Sequence, residues 1–221
     1  MNIKIRLKLI KYIALLTVLT AFFQISCTTS VPEITFGFIQ LVQYQGTDGP
    51  EEYFSFFILP EDEDGLDNLD DLYLYHDRAQ LKWHIKSDEW LTYIIDGKTW
   101  IGTRSIAVKD ESLPRGVFRA VLFNKGGEKH ERTFTYDNSV TYPFPEISIS
   151  GGVYTIISTW PVNKLVIFDS SGIYINTIKL ESLSGRVSDL RLSSSAGIAA
   201  LWAEDEENFF SAYTNAVQLY E

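Results

Sequence analysis

Glu61, Asp62, Glu63, Asp64, Asp67, Asp70 and Asp71 place seven carboxylates in eleven residues, and calcium takes clustered oxygens as ligands. If Gly65 held the sixth position of a helix-flanked calcium loop, Asp62 and Asp64 would fall on the third and fifth. Pro60, however, takes the first, and no helix is expected before it. The stretch therefore reads as an exposed, solvated acidic loop turning at Asp64-Gly65, with an irregular calcium site as the alternative. His76, His84 and His130 are the three histidines, and no two have the four-residue spacing that sets two imidazoles on one helix face. No metal site and no cofactor are expected. A nucleophile elbow of the G-x-S-x-G type is absent from the sequence. Carboxylates such as Asp96 and Asp110 facing each other across a groove would be the minimum for a secreted hydrolase, since glycosidase chemistry needs two carboxyls roughly 5 to 9.5 Å apart. Five tryptophans remain. Trp83, Trp90 and Trp100 are expected in a core and Trp202 packed in a second module, whereas Trp160, in the loop-like Trp160-Pro161-Val162-Asn163, is the candidate for an exposed ring. Aromatic rings held in solvent would make a carbohydrate-binding platform, the second alternative.

Cys27 is the only cysteine, and what precedes it explains its position. Lys4, Arg6, Lys8 and Lys11 stand in a segment without acidic residues, followed by an apolar run from Tyr12 to Phe23. These are the n-region and h-region of a secretory signal. A spanning helix needs about 20 apolar residues, and this run is broken at Gln24. Ser26-Cys27 resembles the end of a lipobox, the signal of bacterial lipoproteins. The resemblance implies a signal peptide over residues 1–26, removal of that peptide, and a mature chain beginning at a Cys27 that carries palmitate-type acyl chains. Acyl chains anchor at about 0.8 kcal/mol per buried methylene, so two or more hold a domain stably where one does not. Ordinary cleavage near Ala21 to Ser26 with an incidental cysteine, an uncleaved membrane anchor and a chance hydrophobic start are the competing readings of the same run.

The whole chain carries 19 basic and 29 acidic residues, a net charge of −10. Residues 1–26 hold four basic and no acidic residues, so the remainder stands at −14. Such a body is repelled by nucleic acid and by anionic lipid surfaces, so attachment to a membrane falls to the lipid on Cys27. With that thiol acylated, no disulfide is available and packing must supply the stability.

The elements that would position any site are strands. Leu81, Trp83 and Ile85 alternate with Lys82, His84 and Lys86, a half-buried strand. Others are expected at Ile34 to Tyr44, Tyr53 to Leu59, Leu72 to Tyr75, Trp90 to Ile95, Ser105 to Val108, Val117 to Phe123 and Glu131 to Tyr136. Turn signals separate them, among them Asp96-Gly97 and Asn124-Lys125-Gly126-Gly127. About seven short strands at this spacing point to an antiparallel β-sandwich. Leu113-Pro114-Arg115-Gly116-Val117-Phe118-Arg119-Ala120-Val121-Leu122, with Gly126-Gly127-Glu128 and Arg132-Thr133-Phe134, resembles the late hairpin of immunoglobulin-like and fibronectin III-like domains on bacterial surfaces. The resemblance concerns architecture.

Tyr142-Pro143-Phe144-Pro145 reads as a linker, because paired prolines favour extended backbone and remove ladder donors. Beyond it, strands are expected at Val153 to Ser158, Lys164 to Phe168, Ile173 to Leu180 and Ile198 to Ala203, and one helix over Arg186 to Leu192. Asp169-Ser170-Ser171-Gly172 is a hairpin loop that could belong to a β-propeller blade, but no second copy exists. The resulting layout is mainly β: a signal peptide at 1–26, a lipidated tether at 27–33, an immunoglobulin-like sandwich at 34–138, a linker at 139–145 and a small α+β module at 146–221. The expected function is that of a noncatalytic envelope lipoprotein, membrane-anchored and facing periplasm or cell surface, which binds or spaces an envelope protein partner.

Overall fold

The computed structural model describes residues 30–46, 49–109 and 111–220, and nearly all of its regular structure is strand. Cys27 and Asp110 lie outside the described residues. The longest pairing is the hairpin of β1 (Glu33–Gln45) and β2 (Pro50–Glu61). Its alternation gives two apolar faces. Ile39 and Leu41 lie opposite Phe56 and Phe54 on one, and Phe38 lies opposite Phe57 on the other.

From this hairpin a nine-stranded sheet grows in both directions. On one side β2 pairs with β6 (Lys98–Ile106), which pairs with the edge strand β5 (Leu91–Ile95). On the other side β1 pairs in parallel with β15 (Phe210–Tyr213), followed by β14 (Ala196–Asp205), β11 (Val162–Asp169) and the edge strand β12 (Tyr174–Lys179). The short β16 (Val217–Gln218) pairs with β14. A four-stranded sheet in the order β4 (Leu81–Lys86), β3 (Leu69–His76), β7 (Gly116–Asn124) and β8 (Lys129–Tyr136) covers one part of it. A three-stranded sheet of β13 (Ser184–Arg186), β10 (Val153–Ile157) and β9 (Glu146–Ser150) supplies residues to a second core.

The first core is aromatic where the two larger sheets meet. Phe54 meets Phe118 and Tyr136 edge-on at centroid distances of 5.3 and 5.0 Å, and Phe56 meets Phe134 at 5.8 Å. Edge-to-face pairs of this kind add about 0.5–1.5 kcal/mol each beyond area burial. The second core gathers Tyr154, Ile156, Leu165, Ile167, Val187 and Leu201. Among the described residues no helix is long and apolar enough to cross a membrane.

Two expectations about layout change. The sheet runs straight through the expected boundary at 139–145, because β15 from the C-terminal part pairs with β1, β14 pairs with β15, and the two contribute Phe210, Ala212 and Ala203 to the first core. Tyr142 and Phe144 pack on that core, and Pro145 is buried, so the segment is part of the folded body. The helix expected over Arg186 to Leu192 is a 3-10 turn, Val187–Leu190, ended by Arg191 at φ 51°. Four residues cannot repay helix nucleation. Burial of Val187 in the second core fixes the turn instead. Among the described residues, the regular structure of the C-terminal part is thus strand apart from this turn.

Candidate binding face on the long sheet

The surface of the nine-stranded sheet turned away from the two cores carries several groups of rings, and strand parity puts them there. Ile101 points into the core and its neighbour Trp100 therefore points out, opposite Tyr93 across the β5–β6 ladder. By the same alternation Ala203 faces in and Trp202 faces out, opposite Tyr213. Phe38 stands between Phe57 (5.8 Å), Trp100 (5.8 Å) and Phe209 (6.4 Å), and Phe57 meets Tyr93 at 5.2 Å.

Two open recesses occupy this face. The smaller, about 200 Å³, is bounded by Phe38, Phe57, Tyr93 and Trp100, with Ser55 supplying a hydroxyl. The larger, about 670 Å³, lies over Tyr53, Tyr213, Trp202, Phe168 and Tyr174, within the range of roughly 300–1,000 Å³ usual for ligand sites. Gln40 and Arg104 line both and join them. Arg104 lies over the Tyr93 ring at 5.2 Å, which places its guanidinium between the recesses.

The floor of the larger recess contains an ion pair. Lys164 on β11 contacts the Glu204 carboxylate on β14, and Trp202 Nε1 donates to Glu204 Oε2 at 2.6 Å. Burial pushes the Glu204 carboxyl up, but the hydrogen bonds from Lys164 and Trp202 outweigh it and hold it below the ordinary carboxylate range. Burial likewise pulls Lys164 down, and Glu204 and Glu206 more than reverse that. Both groups are charged at neutral pH. Burial raises the Tyr53 and Tyr213 hydroxyls above their usual range, so they remain neutral donors.

The tryptophans are redistributed relative to the sequence expectation. Trp160 is 4% exposed. Its Nε1 donates to Pro143 O at 3.0 Å and its ring packs 4.5 Å from Tyr142 and 4.6 Å from Phe210. Trp83 and Trp90 pack against the first core, donating to Ala107 O and Ile85 O. Trp100 and Trp202, expected inside, are the two that face outward. Sequence alternation held the signal: each lies next to a small or aliphatic residue that fills the core.

The other candidate residues are dispersed. His76 accepts at Nδ1 from Ala79 N–H and meets Arg115 O through Nε2, so it holds a turn. His84 contacts Asp71 at 2.6 Å and stacks on Tyr73, and His130 Nδ1 accepts from Ile34 N–H. Asp96, with φ 51°, and Gly97, with φ 72°, form the two-residue β5–β6 turn, the left-handed pair that such hairpins require. In the acidic loop Asp62 accepts from Ser30 Oγ (2.6 Å), Asp64 N–H (2.8 Å) and Asn68 Nδ2 (3.2 Å), and Asp64 accepts from Ser30 N–H (2.8 Å). Two of the seven carboxylates thus dock the chain three and more residues after Cys27. Among the described residues no three His, Cys, Asp or Glu side chains converge as a metal site.

No family model matches the chain, and no curated protein matches it. Solved structures similar to it include a BSP domain of a biofilm associated protein (13% identity, TM-score 0.27, 75% of this chain and 27% of that one). Dimeric latent PorU from Porphyromonas gingivalis is another (13%, 0.33, 85% and 20%), and murine CEACAM1b a third (11%, 0.26, 83% and 99%). The chain spans about a quarter and a fifth of the first two. Likenesses at these TM-scores carry no functional argument. What stands is a mainly β protein of several packed sheets.

Proposed function

We propose that the protein is a noncatalytic binding protein of the bacterial envelope, tethered through a lipid on Cys27, that holds an extended neutral glycan on the outer face of its long sheet. The immunoglobulin-like character of the first sandwich belongs to the same reading. The observation that carries it is the pair of joined recesses in which Trp100 and Tyr93, then Trp202 and Tyr213, present rings beside Arg104, Gln40 and the Lys164–Glu204 pair. Apolar sugar faces stack on aromatic rings, while the charged and amide groups between them satisfy hydroxyls. A net charge of −10 disfavours polyanionic polymers. Binding is favoured over hydrolysis because, among the described residues, Glu204 is the one carboxylate lining the two recesses and Lys164 already pairs with it, whereas glycosidase chemistry uses two carboxyls.

Affinity electrophoresis of the chain through gels containing neutral or N-acetylated polysaccharides tests the reading. Retardation is expected in at least one gel, and each of Trp100→Ala and Trp202→Ala should weaken it about tenfold or more, the effect of removing about 1.5–3 kcal/mol of ring burial. Mobility unaltered by every polysaccharide, or retardation unaffected by the double substitution, rules the face out as a glycan site.

A further inference from the structure

Among the described residues, β5 alone of the strands that end a sheet and are longer than two residues carries no charge. Its sequence is Leu91-Thr92-Tyr93-Ile94-Ile95, and Ile94 is 76% exposed. The other edges, β12, β4, β8, β9 and β13, each contain Lys, Arg or Glu. Charged residues, prolines and bulges are the usual protection against edge-to-edge pairing, and β5 has none of them. Its ladder with β6 is regular from end to end.

We infer that β5 pairs with β5 of a second copy of this chain, antiparallel about a twofold axis at Tyr93. The turn sets which groups are free. In a two-residue hairpin the residues flanking the turn, here Ile95 and Lys98, form a hydrogen-bonded pair, so Tyr93 and Leu91 also bond inward to β6. Thr92 and Ile94 then aim their N–H and C=O groups out of the sheet. A twofold at Tyr93 sets Thr92 against the partner copy's Ile94 and Ile94 against its Thr92, which uses every free group of the strand. Moving the axis by one residue either pairs Thr92 with Asp96 in the turn, or pairs Ile94 with Trp90 before the strand and brings Asp96 against Asp88. The central register alone keeps all pairs inside the uncharged stretch. Such an interface is isologous and closes as a dimer, and it extends the aromatic outer face across the axis, because Leu91, Tyr93 and Ile95 lie on that face.

The full chain provides a register-specific test. At the twofold the two Tyr93 Cα atoms form a non-hydrogen-bonded pair about 4.5 Å apart, inside the range a disulfide spans. Tyr93→Cys should therefore give a disulfide-linked dimer on non-reducing gels from cells. Ile95→Cys alone should not, and Leu91→Cys combined with Ile95→Cys should. Ile94→Pro removes an outward donor and leaves the β6 ladder intact, so it should reduce dimer by tenfold or more in sedimentation of the otherwise wild-type protein without altering its circular dichroism. A wild-type monomer with no Tyr93→Cys dimer, equal cross-linking of Tyr93→Cys and Ile95→Cys, or a Tyr93→Cys adduct to a different protein in place of the dimer would each overturn self-pairing.

Discussion

Tyr142→Phe removes one hydroxyl and measures how firmly the proline-flanked segment belongs to the folded body. Tyr142 Oη donates to Asp205 Oδ2 at 2.8 Å, and the same carboxylate accepts from Asn208 Nδ2 at 2.7 Å and Asn208 N–H at 3.2 Å. A hydrogen bond to a charged group contributes about 1.5–3 kcal/mol. Tyr142 is half-buried and the carboxylate keeps its Asn208 donors, so the lower end, about 1.5 kcal/mol, applies. For a chain of this size that is a fall in Tm of about 3–6 °C. The pH dependence has a definite sign. Burial pushes the Asp205 carboxyl up, but its hydrogen bonds from Asn208 and Tyr142 prevail and hold it below the ordinary value of 3.8. Its contribution is present above the unfolded pKa of about 3.9 and is lost as pH falls through the lower folded value. Urea unfolding of wild type and variant should thus show a constant gap above about pH 5 that narrows in more acid solution, until unfolding in acid ends the comparison. A gap under about 0.5 kcal/mol at pH 7, or one that widens in acid, would refute the anchoring role.

Residues 31–138 alone lose Trp160 and Phe210 from the first core and leave one edge of β1 open. Removal of side chains of this kind costs about 3–5 kcal/mol each against a total of about 5–15 kcal/mol. The fragment should lack a cooperative transition at 37 °C by calorimetry, and one at the parent's Tm would restore the boundary at 139–145. At Gly102 an added Cβ would stand 2.0 Å from Phe56 O and 2.7 Å from Phe57 Cα, so Gly102→Ala must push β2 and β6 apart. A loss of about 1–3 kcal/mol is expected in urea unfolding, and an unchanged midpoint would contradict the close approach. Labelled palmitate should enter the wild-type chain in cells and not Cys27→Ala; equal incorporation in both would remove the lipid tether.

Much of the local structure was legible along the chain. The half-buried alternation of Leu81 to Ile85, the Asp96-Gly97 turn and the Asn124 to Gly127 turn are all realised, because a period of two and a residue tolerant of positive φ are properties of a few consecutive residues. The partners of β1 were not legible: its parallel alignment with β15 joins Leu41 to Phe210 across a separation that no pattern within either segment records. That pairing turned an expected linker into core and merged two expected units into one sheet. The packing of one sheet on another decided the tryptophans. Strand parity tells that Trp100 and Ile101 face opposite ways, but which face is covered depends on where the four-stranded sheet lies, and burial is a property of what packs against a face rather than of the residue itself.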